Sequence, residues 1–199
     1  MTPATVKLPP WIVAVLVVLG TATVCQALPT EWHLWLRYDR GALSAGQVWR
    51  FLTANFIHLG WPHLALNAAG MLLMSWIFGR DWPAFRWLLA LLIAGVISAA
   101  GVHLASANIY WLIGLSGALH GLFAFGAVGW IRMDERVGWL LLGGLLIKLI
   151  YEQYTGSLAV SESIVGGPIV TDAHLWGALG GLLAAGVDKL CWREGPAPL

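Results

Sequence analysis

Apolar residues gather in six long runs, and the segments between them hold much of the charge and proline. Read between these breakers, the runs predict helices at about 11–28, 63–78, 85–105, 116–131, 137–151 and 173–190. The first run competes with a secretory signal peptide. It is long for a signal core and further apolar runs follow, so it is read as a helix. The runs at 63–78 and 116–131 are short for a bilayer core about 30 Å thick. Their starts are therefore expected below the membrane surface.

Composition turns these runs into membrane spans. Hydrophobic residues make up 59% of the chain and charged residues 11%, against roughly 25% charged in a soluble domain. Mean hydropathy is +0.76. The 199 residues hold six spans of about 20 residues each and little else. The prediction is an all-α membrane protein with one domain over 1–199, its function lying within the helix bundle or at its mouths. A net charge of +1 carries no nucleic-acid footprint. Cys25 and Cys191 fall near opposite membrane faces, which argues against a disulfide.

Positive charge orients the bundle. With the N-terminus inside, Lys7, Arg80, Arg86, Arg132, Arg136, Lys189 and Arg193 are cytoplasmic. Only Arg37, Arg40 and Arg50 lie outside, all in the first outer loop, and Lys148 sits within the fifth helix. Both termini are therefore predicted cytoplasmic. The second, fourth and sixth helices then begin at the outer face, and they open on His63, Ser116 and His174.

Polar groups inside a span usually face a cavity or a partner. His63 and Asn67 are four apart and share one helix face. They can donate hydrogen bonds into a common site, or Asn67 can be interhelical glue while His58 and His63 sit at a wet interface. Ser116 begins a helix between Gly114 and Gly117. It can be a nucleophile beside orphan backbone N–H donors, or a helix N-cap with packing glycines around it. Gly177 and Gly181 follow His174 on its own face. Close packing there against the fourth helix would bring His174 to Ser116 as an activating base. The alternative is a capping histidine beside a solvated Asp172.

Four segments together resemble the rhomboid intramembrane serine proteases. They are "GLSG" at the fourth helix, "AHLWGALGG" at the sixth, "HLGWPHLALNAAG" leading into the second, and "QVWRFLTANFIHL" in the first outer loop. The resemblance covers roughly 45–190 and implies the minimal six-helix form. It implies Ser116 as nucleophile and His174 as its base, with no carboxylate third member. His63 and Asn67 would supply oxyanion donors together with the Ser116 N–H. Gly114 and Gly117 would shape the nucleophile turn, and Gly177 and Gly181 would let the sixth helix approach the fourth. Trp49 and Arg50 would be structural. His120 stands where many rhomboids carry Tyr, and "GLSGALHG" in so short a chain is similar to the rhombosortase branch. His120 would then support His174 by orienting it or stacking on it.

The implied function is cleavage of membrane-anchored exported proteins near the outer face of a bacterial inner membrane. On the rhombosortase reading, the cut falls at a C-terminal tail with a Gly-Gly motif, a membrane helix and a basic end. The implied partners are such a transmembrane substrate and the lipid bilayer; no metal or cofactor is implied. The last outer loop, about 152–172, is either a mobile cap or a plain connector. Two rival functions stand beside the protease: an inactive rhomboid-like binder of membrane helices, and a metal or haem protein using His58, His63, His120 and His174.

Overall fold

A computed structural model describes residues 9–192; Lys7 and Arg193, counted above for orientation, lie outside them. In chain order the helices are α1 (Pro10–Ala27), α2 (Thr30–Leu36), α3 (Arg40–Ser44), α4 (Arg50–Thr53), α5 (Trp61–Phe78), α6 (Ala84–Ala105), α7 (Ser116–Arg132), α8 (Arg136–Thr155), α9 (Ala159–Val165) and α10 (Thr171–Cys191). A 3-10 turn, Ala54–Phe56, follows α4. Strands β1 (Tyr38–Asp39) and β2 (Trp111–Leu112) pair antiparallel and tie the segment between α1 and α5 to the connection between α6 and α7.

The six apolar runs correspond to the described helices of 17 to 22 residues. Pro62 lies in the first turn of α5, where its missing N–H costs nothing. The largest difference from the predicted boundaries is at α8. It runs a turn beyond 151, to Thr155, and ends at Gly156 with φ +76°.

Helix α10 packs mainly on α6 and α7. The α7–α10 contact is backbone against backbone. A Cβ at Gly177 would strike the Gly117 carbonyl, and one at Gly181 the Gly121 carbonyl. Gly121 in turn leaves no room beside Ala94 of α6. Away from this seam the core is filled by large side chains, among them Phe78, Trp82, Trp87, Leu122 and Phe125. At the end of the bundle remote from Ser116, Arg86 pairs with buried Asp188 at 3.5 Å and Arg132 donates to the Ala185 carbonyl at 2.8 Å.

The exterior is apolar. Leu16, Trp76, Leu104, Leu140, Ile147 and Leu190 point outward from the long helices. Such a surface suits lipid rather than water. By length and apolarity alone, one described helix qualifies as a span, Ala84–Ala105, with Trp11–Ala27 a shorter apolar helix. The others are shorter or interrupted. Helix α7 has 17 residues. Helix α5 carries His63 and Asn67, α8 carries Lys148 and Glu152, and α10 carries His174 and Asp188.

The segment between α1 and α5 is held by two arginines. Arg50 is buried and donates to Gln47 Oε1, the Leu34 carbonyl and the Arg37 carbonyl at 2.7–2.8 Å. Arg40 donates to the carbonyls of Val102, His103, Ser106 and Ile109, closing the C-terminal end of α6. Trp49 lies on the loop surface against Trp35.

Candidate active site

The approach to α7 is set by Gly114, whose φ of +113° a side-chain-bearing residue rarely adopts. A Cβ there would also collide with the His63 ring. Leu115, not Ser116, is the N-cap of α7, and Ser116 is the first helical residue. The N-cap alternative for the Ser116 side chain therefore falls away. Its Oγ turns instead toward α10 and lies 3.0 Å from His174 Nε2.

The glycine seam makes that contact possible. With no side chain at Gly117, Gly121, Gly177 or Gly181, α10 lies close enough for a histidine one turn from its start to reach the first residue of α7. Ser98 of α6 adds a buried bond to the Ala173 carbonyl at 2.7 Å, beside His174.

His63 and Asn67 face the same point from α5. Both are buried. The His63 Nδ1 accepts the Leu59 N–H at 3.3 Å, which leaves its proton on Nε2, the nitrogen nearer Gly114. The Asn67 Nδ2 is buried without a partner. An unpaired buried donor is costly, and one aimed into a reaction cavity is suited to an oxygen that gains charge there. His58 is fully buried behind His63, with its ring edge-on at 4.9 Å, so the wet-interface reading of this pair is corrected. Burial, and then the nearby His63 ring, push His58 down to about 3.

His120 stacks on His174, the rings 4.1 Å apart and 15° from parallel. Its Nδ1 donates to the Ser116 carbonyl at 2.7 Å, and its Nε2 accepts from Lys148. Asp172 accepts from Ser106 and makes no bond to His174.

Two residues that sequence reasoning left unassigned complete the cluster. Glu152 Oε2 lies 2.9 Å from His174 Nδ1 and 2.6 Å from Lys148 Nζ. The resemblance implied no carboxylate third member, yet a carboxylate stands against His174. The signal was present: a Lys and a Glu four apart in an apolar run share a face and are expensive there. Ending the fifth helix at 151 hid it. Among the described residues, His120, Glu152 and His174 form a group spaced to hold a metal ion. Lys148 Nζ lies among them, bonded to His120 and Glu152 and 3.2 Å from His174 Nδ1. His58 and His63 are not part of that group.

These side chains line a cavity of about 970 Å³. Its lower walls are apolar, formed by Leu66, Gly70 and Met74 of α5 and by Leu140, Leu141 and Gly144 of α8. The segment between α8 and α10 is no plain connector. It contains α9, packs Val165 into the protein, and contributes Leu158, Ser161 and Ile169 to the cavity. Glu162 fastens it through Ser157 Oγ at 2.5 Å and the Ile169 N–H at 3.4 Å.

A family model described as the rhomboid domain matches residues 45–189. The chain is 29% identical over 146 residues to "Putative rhomboid protease YdcA" of Bacillus subtilis, covering 73% of this chain and 69% of that protein. It is 31% identical over 149 residues to "Rhomboid-like protein 11, chloroplastic" of Arabidopsis thaliana, covering 68% of this chain and 50% of that one. Against "Rhomboid protease GlpG" of Salmonella choleraesuis the identity is 27% over 188 residues, covering 92% of this chain and 64% of that protein.

Proposed function

The chain belongs to the rhomboid family of integral membrane proteins, and from that premise we propose that it is an intramembrane serine endopeptidase. Ser116 is the nucleophile and His174 its general base. The observation that carries this reading is the 3.0 Å contact between Ser116 Oγ and His174 Nε2, in a cavity shared with two inward-facing donors from α5.

Six helices, α1, α5, α6, α7, α8 and α10, span the membrane with both termini cytoplasmic. The cavity then opens toward the periplasmic face. A substrate helix reaches it sideways from lipid, between the apolar walls of α5 and α8, and unwinds at the site. Glycine in the substrate eases that step, since it disfavours helix by about 1 kcal/mol relative to Ala. Ser116 Oγ attacks the scissile carbonyl carbon while its proton passes to His174 Nε2. The carbonyl oxygen, now anionic, is held by His63 Nε2–H, Asn67 Nδ2–H and the N–H groups at the start of α7. His174 gives the proton to the leaving amine as the C–N bond breaks. Water then hydrolyses the acyl-enzyme, with His174 again as base.

Within the family, His120 at the position after "GLSGAL" supports the rhombosortase branch. The substrate on that reading is an exported protein whose tail has a Gly-Gly motif, a membrane helix and a basic end. The test uses a fluorophosphonate probe and a reporter carrying such a tail. Wild type should be labelled and should cut the reporter, while Ser116→Ala and His174→Ala should do neither and still insert and fold. Labelling that persists in Ser116→Ala would overturn the serine mechanism. Labelling with no tail cleavage would remove the rhombosortase assignment and leave the protease.

A further inference from the structure

Helix α8 buries a carboxylate in the apolar bundle and sets a lysine beside it on the cavity wall, and the chemistry above uses neither. Glu152 is 9% exposed. Charged groups at such depth are retained where they do something for the site. Their bonds run in a closed ring. The Ser116 hydroxyl meets His174 Nε2, and His174 Nδ1 meets Glu152. Glu152 meets Lys148, Lys148 meets His120 Nε2, and His120 Nδ1 returns to the carbonyl of Ser116 itself.

The ring decides which nitrogen of His174 carries the proton. A carboxylate only accepts. With Glu152 at 2.9 Å, the proton sits on Nδ1, and the lone pair on Nε2 faces the Ser116 hydroxyl. That tautomer can take the serine proton. Lys148 Nζ also lies 3.2 Å from His174 Nδ1. An ammonium only donates. Left alone with His174, Lys148 would claim the Nδ1 lone pair and force the proton onto Nε2, where it blocks proton abstraction. Glu152 and Lys148 thus pull the imidazole toward opposite tautomers, and the shorter Glu152 contacts hold both His174 and the ammonium.

We propose that Glu152 is the positioning carboxylate of the Ser116–His174 pair, and that Lys148 is its counter-ion, anchored by His120. The inference rests on the serine-protease reading for its kinetics and on the hydrogen-bond ring for the tautomer. In the acylation step the proton that leaves Ser116 makes His174 an imidazolium, and the Glu152 charge beside Nδ1 stabilises it. The proton then leaves on the departing amine and Glu152 takes none; the ring closes again only when water has released the acyl group and His174 has returned a proton to Ser116.

The experiment uses the full chain in detergent or liposomes, with Glu152→Gln, Glu152→Ala, Lys148→Met and the double variant Glu152→Ala/Lys148→Met. Fluorophosphonate labelling of Ser116 and the ¹⁵N resonances of His174 are read in each. Glu152→Ala should slow labelling by about 10²–10⁴-fold, as removal of a correct-tautomer carboxylate does elsewhere. Glu152→Gln should do the same, because its amide can turn its N–H groups to His174 and its oxygen to Lys148. The double variant should regain at least about tenfold over Glu152→Ala, since the competing ammonium has gone; a merely structural pair would make the double variant worse. The ¹⁵N spectrum should show the Nδ1–H tautomer in wild type and the Nε2–H tautomer in Glu152→Ala. Wild-type labelling in Glu152→Ala and Glu152→Gln, or no recovery in the double variant, would overturn the proposal. If wild type itself is never labelled, the protease reading fails. The ¹⁵N tautomers still decide the positioning role, which falls if wild type and Glu152→Ala give the same spectrum.

Discussion

At the scale of single residues, the site is organised by what each polar group lacks as much as by what it has. Asn67 Nδ2 is buried with no partner, beside Gly114 in the cavity that Ser116 also lines. A donor kept unsatisfied in the resting protein costs stability, and that cost is recovered only when charge develops in front of it. Asn67→Ala should therefore lower kcat by about 10²–10³-fold, with KM little changed and thermal stability unchanged or raised. Steady-state cleavage and melting curves on the same preparation check this. A fall in Tm with normal kcat would make Asn67 interhelical glue instead. His120 illustrates the other case. Both its nitrogens are engaged, so it can hold Ser116, Lys148 and His174 in place but cannot itself exchange protons freely with substrate.

At the scale of helices, two features matter most. The first is the backbone contact between α7 and α10. Gly181 faces the Gly121 carbonyl with no space for a methyl group. Gly181→Val should force the helices apart, cost at least about 1–3 kcal/mol, and slow labelling of Ser116 because His174 moves with α10. Gly186 lies on the same helix where an added Cβ meets nothing within 4 Å. Gly186→Ala should leave both labelling and Tm at wild-type level or above. Thermal melts of the two variants compare close approach with helix propensity alone. The second feature is the length of α8. Its last turn carries Glu152, and a helix ending at 151 would leave the carboxylate outside the helix.

At the scale of the whole molecule, the protein is apolar on its exterior as well as in its core. Apolar side chains face outward, and buried charged groups lie mainly in the Ser116 cavity, at the remote Arg86–Asp188 end and in the segment before α5. Just before α5, His58 is sealed in the fold and pushed from 6.5 to about 3, chiefly by burial. The unfolded chain thus binds more protons than the folded one between these two values. Stability contributed by neutral His58 is complete above about 6.5 and falls as pH drops from there toward 3. His58→Phe should flatten that part of the Tm–pH curve, measured from pH 7 to 4, and a slope equal to wild type would place the titration on other groups.

Much of this was legible along the chain, for a definite reason. Helix periods, apolar run lengths and glycine spacing are local properties. They were enough to place the six long helices, to bring Ser116 and His174 to helix starts, and to put small residues on the face between them. Lys148 and Glu152 were equally visible as letters, but nothing local says which side of α8 faces the bundle or how far that helix runs. The same holds for Arg40, whose four carbonyl partners lie more than sixty residues away. The tautomer of His174 depends on distances between three helices at once, α7, α8 and α10. Hydrogen bonds fall off within a few tenths of an ångström, and only the packed structure sets separations that fine.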